Sequence, residues 1–213
     1  MTDMHAHVPG NDPSVVEYLA DRDFFGYHPW QDPDCYVANE IAEKIENNPS
    51  AWVGEIGFDR LRNKEISNKA RSVFEDMLMI ATYFKRPVTL HGVKCWGKII
   101  ENIKGMATIF PRPPAFLFHG FSRSDGLLPE IEKLNGFISV GPQVMNDHAV
   151  NYRKLVAKIP NHMLVFETDR TVENQEGLPT IREILIKTAE IRNTSPEELE
   201  KLTDENALRF VQF

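Results

Sequence analysis

Short apolar runs without alternating polar positions recur along the chain. They cover residues 3–8, 23–27, 52–58, 87–91, 115–119, 136–140 and 163–168. Runs of this length, rich in Val, Ile, Leu and Phe, read as strands buried on both faces. The stretches between them carry helical spacing. Residues 68–84 place Val73, Met77, Ile80, Ala81 and Phe84 on one stripe, and residues 94–103 do the same with Trp96, Ile99, Ile100 and Ile103. Residues 150–159 and 180–192 follow. A last helix is predicted with Ser195 as N-cap, Pro196 in the first turn and Glu198 closing a capping box. Strand–helix alternation with short connections predicts a parallel α/β domain. Seven runs suit a TIM-barrel-like parallel β/α barrel better than an open sheet.

Candidate chemistry sits within these runs or at their ends. The first carries His5 and His7 beside Asp3, the third Glu55, the fourth His91, the fifth His119, and Asp169 follows the seventh. In a parallel barrel all strand C-termini open on one face, so ligands scattered in sequence converge there. His5 and His7 are two apart and share one side of a strand. Taken singly, His91 and His119 also read as core histidines bonded to backbone. A carboxylate inside VGEIGF or LVFETD is harder to bury without a cation or an arginine. Together, four imidazoles and two carboxylates suit two adjacent divalent cations with a bridging carboxylate and open positions for water. Imidazole-rich coordination suits Zn, Mn, Fe or Co by ligand softness, whereas Mg prefers oxygen.

Composition narrows the picture little. The 213 residues, 42% hydrophobic and 26% charged, suit a single domain over 1–213. A formal net charge of −7 disfavours sequence-independent nucleic-acid binding, which needs Lys and Arg, but not an enzyme that meets phosphate through bound cations. Cys35 and Cys95 have no metal-type spacing. No apolar run matches a membrane span and MTDMHAHVPG lacks secretory features, so a cytoplasmic protein without a membrane or an obligate protein partner is expected.

The motifs, in order, are DMHAH (3–7), GYHPW (26–30), GEIGFD (54–59), PVTLH (87–91), FHGFS (118–122), ISVG (138–141), FETD (166–169) and ENALRF (205–210). Together they resemble the TatD-like metal-dependent deoxyribonucleases, within the wider amidohydrolase-type barrels. The resemblance implies a binuclear site. His5, His7, Glu55 and Asp169 would hold one metal and Glu55, His91 and His119 the other, with Mg among the ions that support activity. It implies that His28 approaches the substrate phosphate and that DNA or another phosphodiester is hydrolysed, often from the 3′ end. Glu55 and Asp169 are the expected catalytic carboxylates, Asp169 taking a proton from the attacking water. Lys94 and Arg123 are further candidates for phosphate contact, as is Arg170, and Trp30, Trp96 and Phe121 lie near enough to be weighed as base-stacking groups. This chain departs from the family in three places. About twenty residues separate DMHAH from GYHPW, where the family has an extra β/α unit, so a barrel shortened to seven strands is predicted. Val93 stands where the family has an arginine, and Arg170 to Glu173 replace an Arg–Asn-rich loop. Those departures keep open a hydrolase of a small ester, amide or lactone.

Overall fold

The computed structural model describes residues 1–107, 113–122 and 125–213. Strand β1 (Thr2–Ala6) pairs in parallel with β2 (Val16–Leu19). A six-stranded parallel sheet follows in chain order: β3 (Phe24–Phe25), β4 (Trp52–Asp59), β5 (Val88–Val93), β6 (Phe116–His119), β7 (Gly136–Val140) and β8 (Leu164–Phe166). The two sheets join at both edges. Ala20 bridges to Phe24 on one side. On the other, the Asp169 N–H donates to the His5 carbonyl at 3.0 Å and the His7 N–H to the Arg170 carbonyl at 2.8 Å. The result is a TIM-barrel-like ring of parallel strands.

Among the described residues there are eight strands, where the apolar runs predict seven. The additional one is β2, whose exposed and half-buried positions include Glu17 and give no apolar run. The shortening shows instead in the connections. No helix separates β1 from β2 or β2 from β3, whereas α1 (Ala38–Asn47), α2 (Asn68–Phe84), α3 (Trp96–Ala107), α4 (Leu128–Lys133) and α5 (Val150–Lys158) follow the later strands. Two helices, α6 (Ile181–Arg192) and α7 (Pro196–Val211), close the chain. Ser67 caps α2 and Ser195 caps α7 by accepting the N–H three residues on. The reciprocal capping box belongs to α6, between Thr180 and Glu183. The Glu198 carboxylate instead accepts from the Thr194 hydroxyl at 3.1 Å. Among the described residues no helix is long and apolar enough to cross a membrane.

One apolar layer lies between the sheet and its helices, with Ile56, Leu90, Phe118 and Ile138 packed against Met77, Ile99 and Leu155. A second cluster gathers Met4, Phe24, Trp52, Leu117, Phe137 and Val165 from strands that are not all neighbours, which identifies it as the filled barrel interior. Phe210 of α7 joins this cluster, its ring centroid 5.5 Å from that of Trp52 and 5.6 Å from that of Phe137. His5 stacks on Phe24 at 5.0 Å and on His119 at 3.9 Å. A layer of imidazoles therefore rests directly on the interior packing.

Candidate metal centre

Strands β1, β4, β5, β6 and β8 deliver their polar groups to the same rim. His5 lies in β1 and His7 just beyond it, Glu55 in β4, His91 in β5, His119 at the end of β6 and Asp169 after β8. Gly57 brings β4 close to β5. A Cβ there would stand 2.0 Å from the His91 carbonyl oxygen, and its φ of +146° disfavours any other residue. Asp169 also has positive φ, at 50°, which an aspartate tolerates better than most residues.

Glu55 stands at the centre, and its two oxygens face different histidines. Oε1 lies 3.4 Å from His5 Nε2, 3.5 Å from His7 Nε2 and 3.8 Å from His28 Nε2. Oε2 lies 3.2 Å from His91 Nδ1 and 3.3 Å from His119 Nε2. Asp169 Oδ1 is 3.5 Å from His7 Nε2 and 3.8 Å from His5 Nε2. Among the described residues, three groups have ligand atoms within 4.8 Å of one another: His5, His7 and Glu55; His5, His119 and Asp169; and His28, Glu55 and His91. The third group puts His28 among the potential ligands, beside its expected place at the substrate.

The donor set fits divalent cations on an observation independent of spacing. His5 is fully buried, and neither of its ring nitrogens has a hydrogen-bond partner. Buried polar nitrogens left without a partner are costly, and a cation between the strands relieves that cost. Burial alone would raise the Glu55 carboxyl, but the His5 and His119 imidazoles outweigh it and hold it well below the usual carboxylate range. Asp169 is likewise lowered, with the His7 hydrogen bond and the His119 charge overcoming burial. The hydrogen bond to Asp169 raises His7. Burial opposes protonation of His119, yet the Glu167 and Glu55 carboxylates win and raise it. Burial lowers His28 to about 4. The Trp30 N–H donates to His28 Nδ1 at 3.2 Å, so the neutral ring carries its proton on Nε2.

Two carboxylates behind the rim were not singled out from the sequence. Glu167 is buried and contacts His119 Nδ1 at 2.8 Å while accepting from the Gly120 N–H at 2.9 Å and from the Ser139 hydroxyl. Asp59 lies 3.5 Å from His91 Nε2 and accepts the Trp30 indole N–H at 2.8 Å. Their signal was faint: Glu167 stands two residues before Asp169, and Asp59 closes GEIGFD. Asp3 is buried too. It accepts from the Thr168 hydroxyl and N–H, and burial pushes its carboxyl up to about 7.

A cleft of about 600 Å³ opens over this layer, lined by His7, His28, Trp30, Glu55, His91, His119 and Asp169 among others. Lys94 is not among its lining residues. It is exposed at the turn after β5, with φ of 57°. Arg123 lies outside the described residues. Arg170 turns away from the cleft, pairs with Glu17 at 2.5 Å and donates to the Val8 carbonyl. Trp96 and Phe121 are buried and pack α3 against the barrel, while Trp30 stays half exposed at the cleft. His148 and His162 are exposed.

Known proteins resemble this chain in sequence and in fold. A family profile described as TatD related DNase matches residues 16–212. An uncharacterized metal-dependent hydrolase of Haemophilus influenzae is 30% identical over 185 residues, covering 82% of this chain and 69% of the relative. The uncharacterized metal-dependent hydrolase YabD of Bacillus subtilis is 23% identical over 208 residues, covering 92% of this chain and 80% of its own. Among solved structures, YJJV, a TatD homolog from Escherichia coli, superimposes with a TM-score of 0.76 at 22% identity, over 92% of this chain and 77% of that one. A dihydroorotase from Campylobacter jejuni shares the fold more loosely, with a TM-score of 0.55 at 12% identity, over 95% of this chain and 66% of that one.

Proposed function

This chain belongs to the family of TatD related DNases, and on that premise we propose that it is a metal-dependent phosphodiesterase acting on DNA. The observation that carries the reading is the division of Glu55, whose Oε1 faces His5 and His7 while Oε2 faces His91 and His119. In this reading His5, His7, Glu55 and Asp169 would hold one divalent cation, and Glu55, His91 and His119 the other. Divalent cations there would supply Lewis acidity, polarising a phosphoryl oxygen and lowering the pKa of water.

The remaining work falls to side chains. Asp169 is ionised near neutral pH and its side chain is 46% exposed to the cleft, so it can take a proton from the attacking water. His28 is neutral at that pH and presents Nε2–H to the cleft, where it donates to a non-bridging phosphate oxygen. Glu167 holds His119 in one orientation and fixes which nitrogen faces Glu55.

A second reading has its own observation. Among the described residues, no Lys or Arg lines the cleft, and Val93 stands at the end of β5. A small ester, amide or lactone would need no such cation. The deciding experiment incubates Mn2+-loaded protein with a single-stranded oligonucleotide and, separately, with carbonyl ester and amide panels. Nucleotide release that falls at least about a hundredfold in Asp169→Asn is expected. Hydrolysis of the carbonyl compounds alone would overturn the phosphodiesterase reading.

A further inference from the structure

A second cavity of about 350 Å³ adjoins the cleft, and His28 and Gln31 line both. Trp30 lines the cleft, and the Arg62 guanidinium, which lines the second cavity, lies over its indole at 4.9 Å from the centroid. The floor of the second cavity is apolar, built from the buried Phe58, Val73 and Phe74 with Ala70 beside them. Arg62, Lys64 and Glu65 stand on its rim. Among the described residues neither Arg62 nor Lys64 forms an ion pair, a state shared with Arg60, Lys69 and Lys94 among others. Asp59, which also borders the cavity, has its carboxylate engaged by the Trp30 indole and by the Leu61 and Arg62 N–H groups.

We propose that this cavity is a nucleotide subsite: the base beside the scissile phosphate seats on the Phe58–Phe74 floor, and Arg62 with Lys64 meets the next phosphate along the strand. The inference rests on the phosphodiesterase reading for its placement beside the scissile group. The volume lies within the range of small-molecule sites, and an apolar floor with convergent polar groups at the rim is their usual construction. An apolar floor accepts the apolar body of a base without selecting among bases. Unpaired cations on the rim supply the charge that the cleft lacks. The chain thereby recovers phosphate recognition from the β4–α2 loop rather than from the end of β5, where it has Val93.

Calorimetric titration of the Mn2+-loaded full chain with inorganic phosphate, thymidine 5′-monophosphate and thymidine 3′,5′-bisphosphate tests this. Wild-type protein is expected to bind them in that order of increasing affinity, each step about tenfold. Ala70→Phe, which fills the cavity from α2, should reduce the monophosphate to the affinity of inorganic phosphate. Arg62→Ala, on an exposed loop, should erase only the gain from the second phosphate, and it keeps the test alive if Ala70→Phe does not fold. Equal binding of all three probes by wild-type protein, or preferences that survive both substitutions, would overturn the subsite. The affinity ladder without hydrolysis of any phosphodiester would sink the phosphodiesterase reading and leave the subsite standing. Hydrolysis of oligonucleotides without the ladder would sink the subsite alone.

Discussion

The two halves of the candidate metal centre are built differently. On one side, His91 and His119 each have a carboxylate behind the ring: Asp59 at 3.5 Å from His91 Nε2 and Glu167 at 2.8 Å from His119 Nδ1. On the other side, His5 is held by stacking against Phe24 and His119, and neither of its nitrogens is hydrogen-bonded. His7 is exposed and turns to Asp169 across the open cleft. One half is thus oriented by carboxylates set behind its rings, and the other by the stacking of His5 and the contact of His7 with Asp169 across the cleft. The buttressed half should bind its ion through preset imidazoles, and the packed half should depend on the ion for its polar satisfaction. Glu55 joins the two, so the contrast is testable by removing parts from either side.

The largest effect should come from Glu55→Gln. It removes the buried charge that faces four of the expected histidine ligands at once, and breaking such a buried pairing costs about 3–5 kcal/mol. Metal analysis should show loss of tightly held ions from both halves. Retention of one full equivalent would mean that Glu55 is not shared. Next comes Glu167→Gln, which keeps shape but weakens the orientation of His119. Affinity for one ion should fall about 10–100-fold while the other changes little. Equal weakening of both, in a two-site metal titration, would erase the distinction between the halves.

The pH dependence sharpens the same contrast. His119 and His7 both have raised pKa values, so in metal-free protein each holds its proton to higher pH than an ordinary histidine. A divalent ion must displace those protons, and its apparent affinity should therefore rise with pH through neutrality. Glu167→Gln removes the largest of the carboxylate charges that hold the His119 proton, so it should move this rise to lower pH even as it loosens the ring. Titration in buffers of different ionisation enthalpy counts the protons released. Release of none at pH 7 would contradict the assignment of a protonated His119.

Much of this was legible in the chain because the ligands end apolar runs, and the parallel order of strands does the rest. Glu55 sits inside an apolar run and Asp169 directly follows one, so neither carboxylate is placed at random. What escaped depended on contacts distant in sequence. Glu167 acts on His119, 48 residues away, through strand register that no local pattern encodes. Strand β2 escaped because it is half exposed and contains Glu17. Helix α1 begins at Val37 without a side-chain cap, and α4 has only six residues, too few for a period to show. Lys94 and Arg170 looked alike as cations after strands. Only the fold shows that Lys94 lies outside the cleft and that Arg170 is spent on Glu17.

The smallest effect should come from Asp59→Asn. The 3.5 Å separation from His91 Nε2 is at the outer edge of hydrogen bonding, so this brace is weaker than the one from Glu167. An asparagine oxygen can still accept the Trp30 indole N–H, which keeps the cleft wall in place while the charge is removed. Metal affinity in the His91–His119 half should fall by less than about tenfold, the low end for partners of this kind. Trp30 is more exposed than Trp52 and Trp96, so its fluorescence reports whether the indole has moved. If Asp59→Asn weakens that ion more than Glu167→Gln does, with Trp30 unmoved, the distance between carboxylate and imidazole is not what ranks the two braces. The charge of Asp59 would then act on the ion directly rather than through the ring of His91.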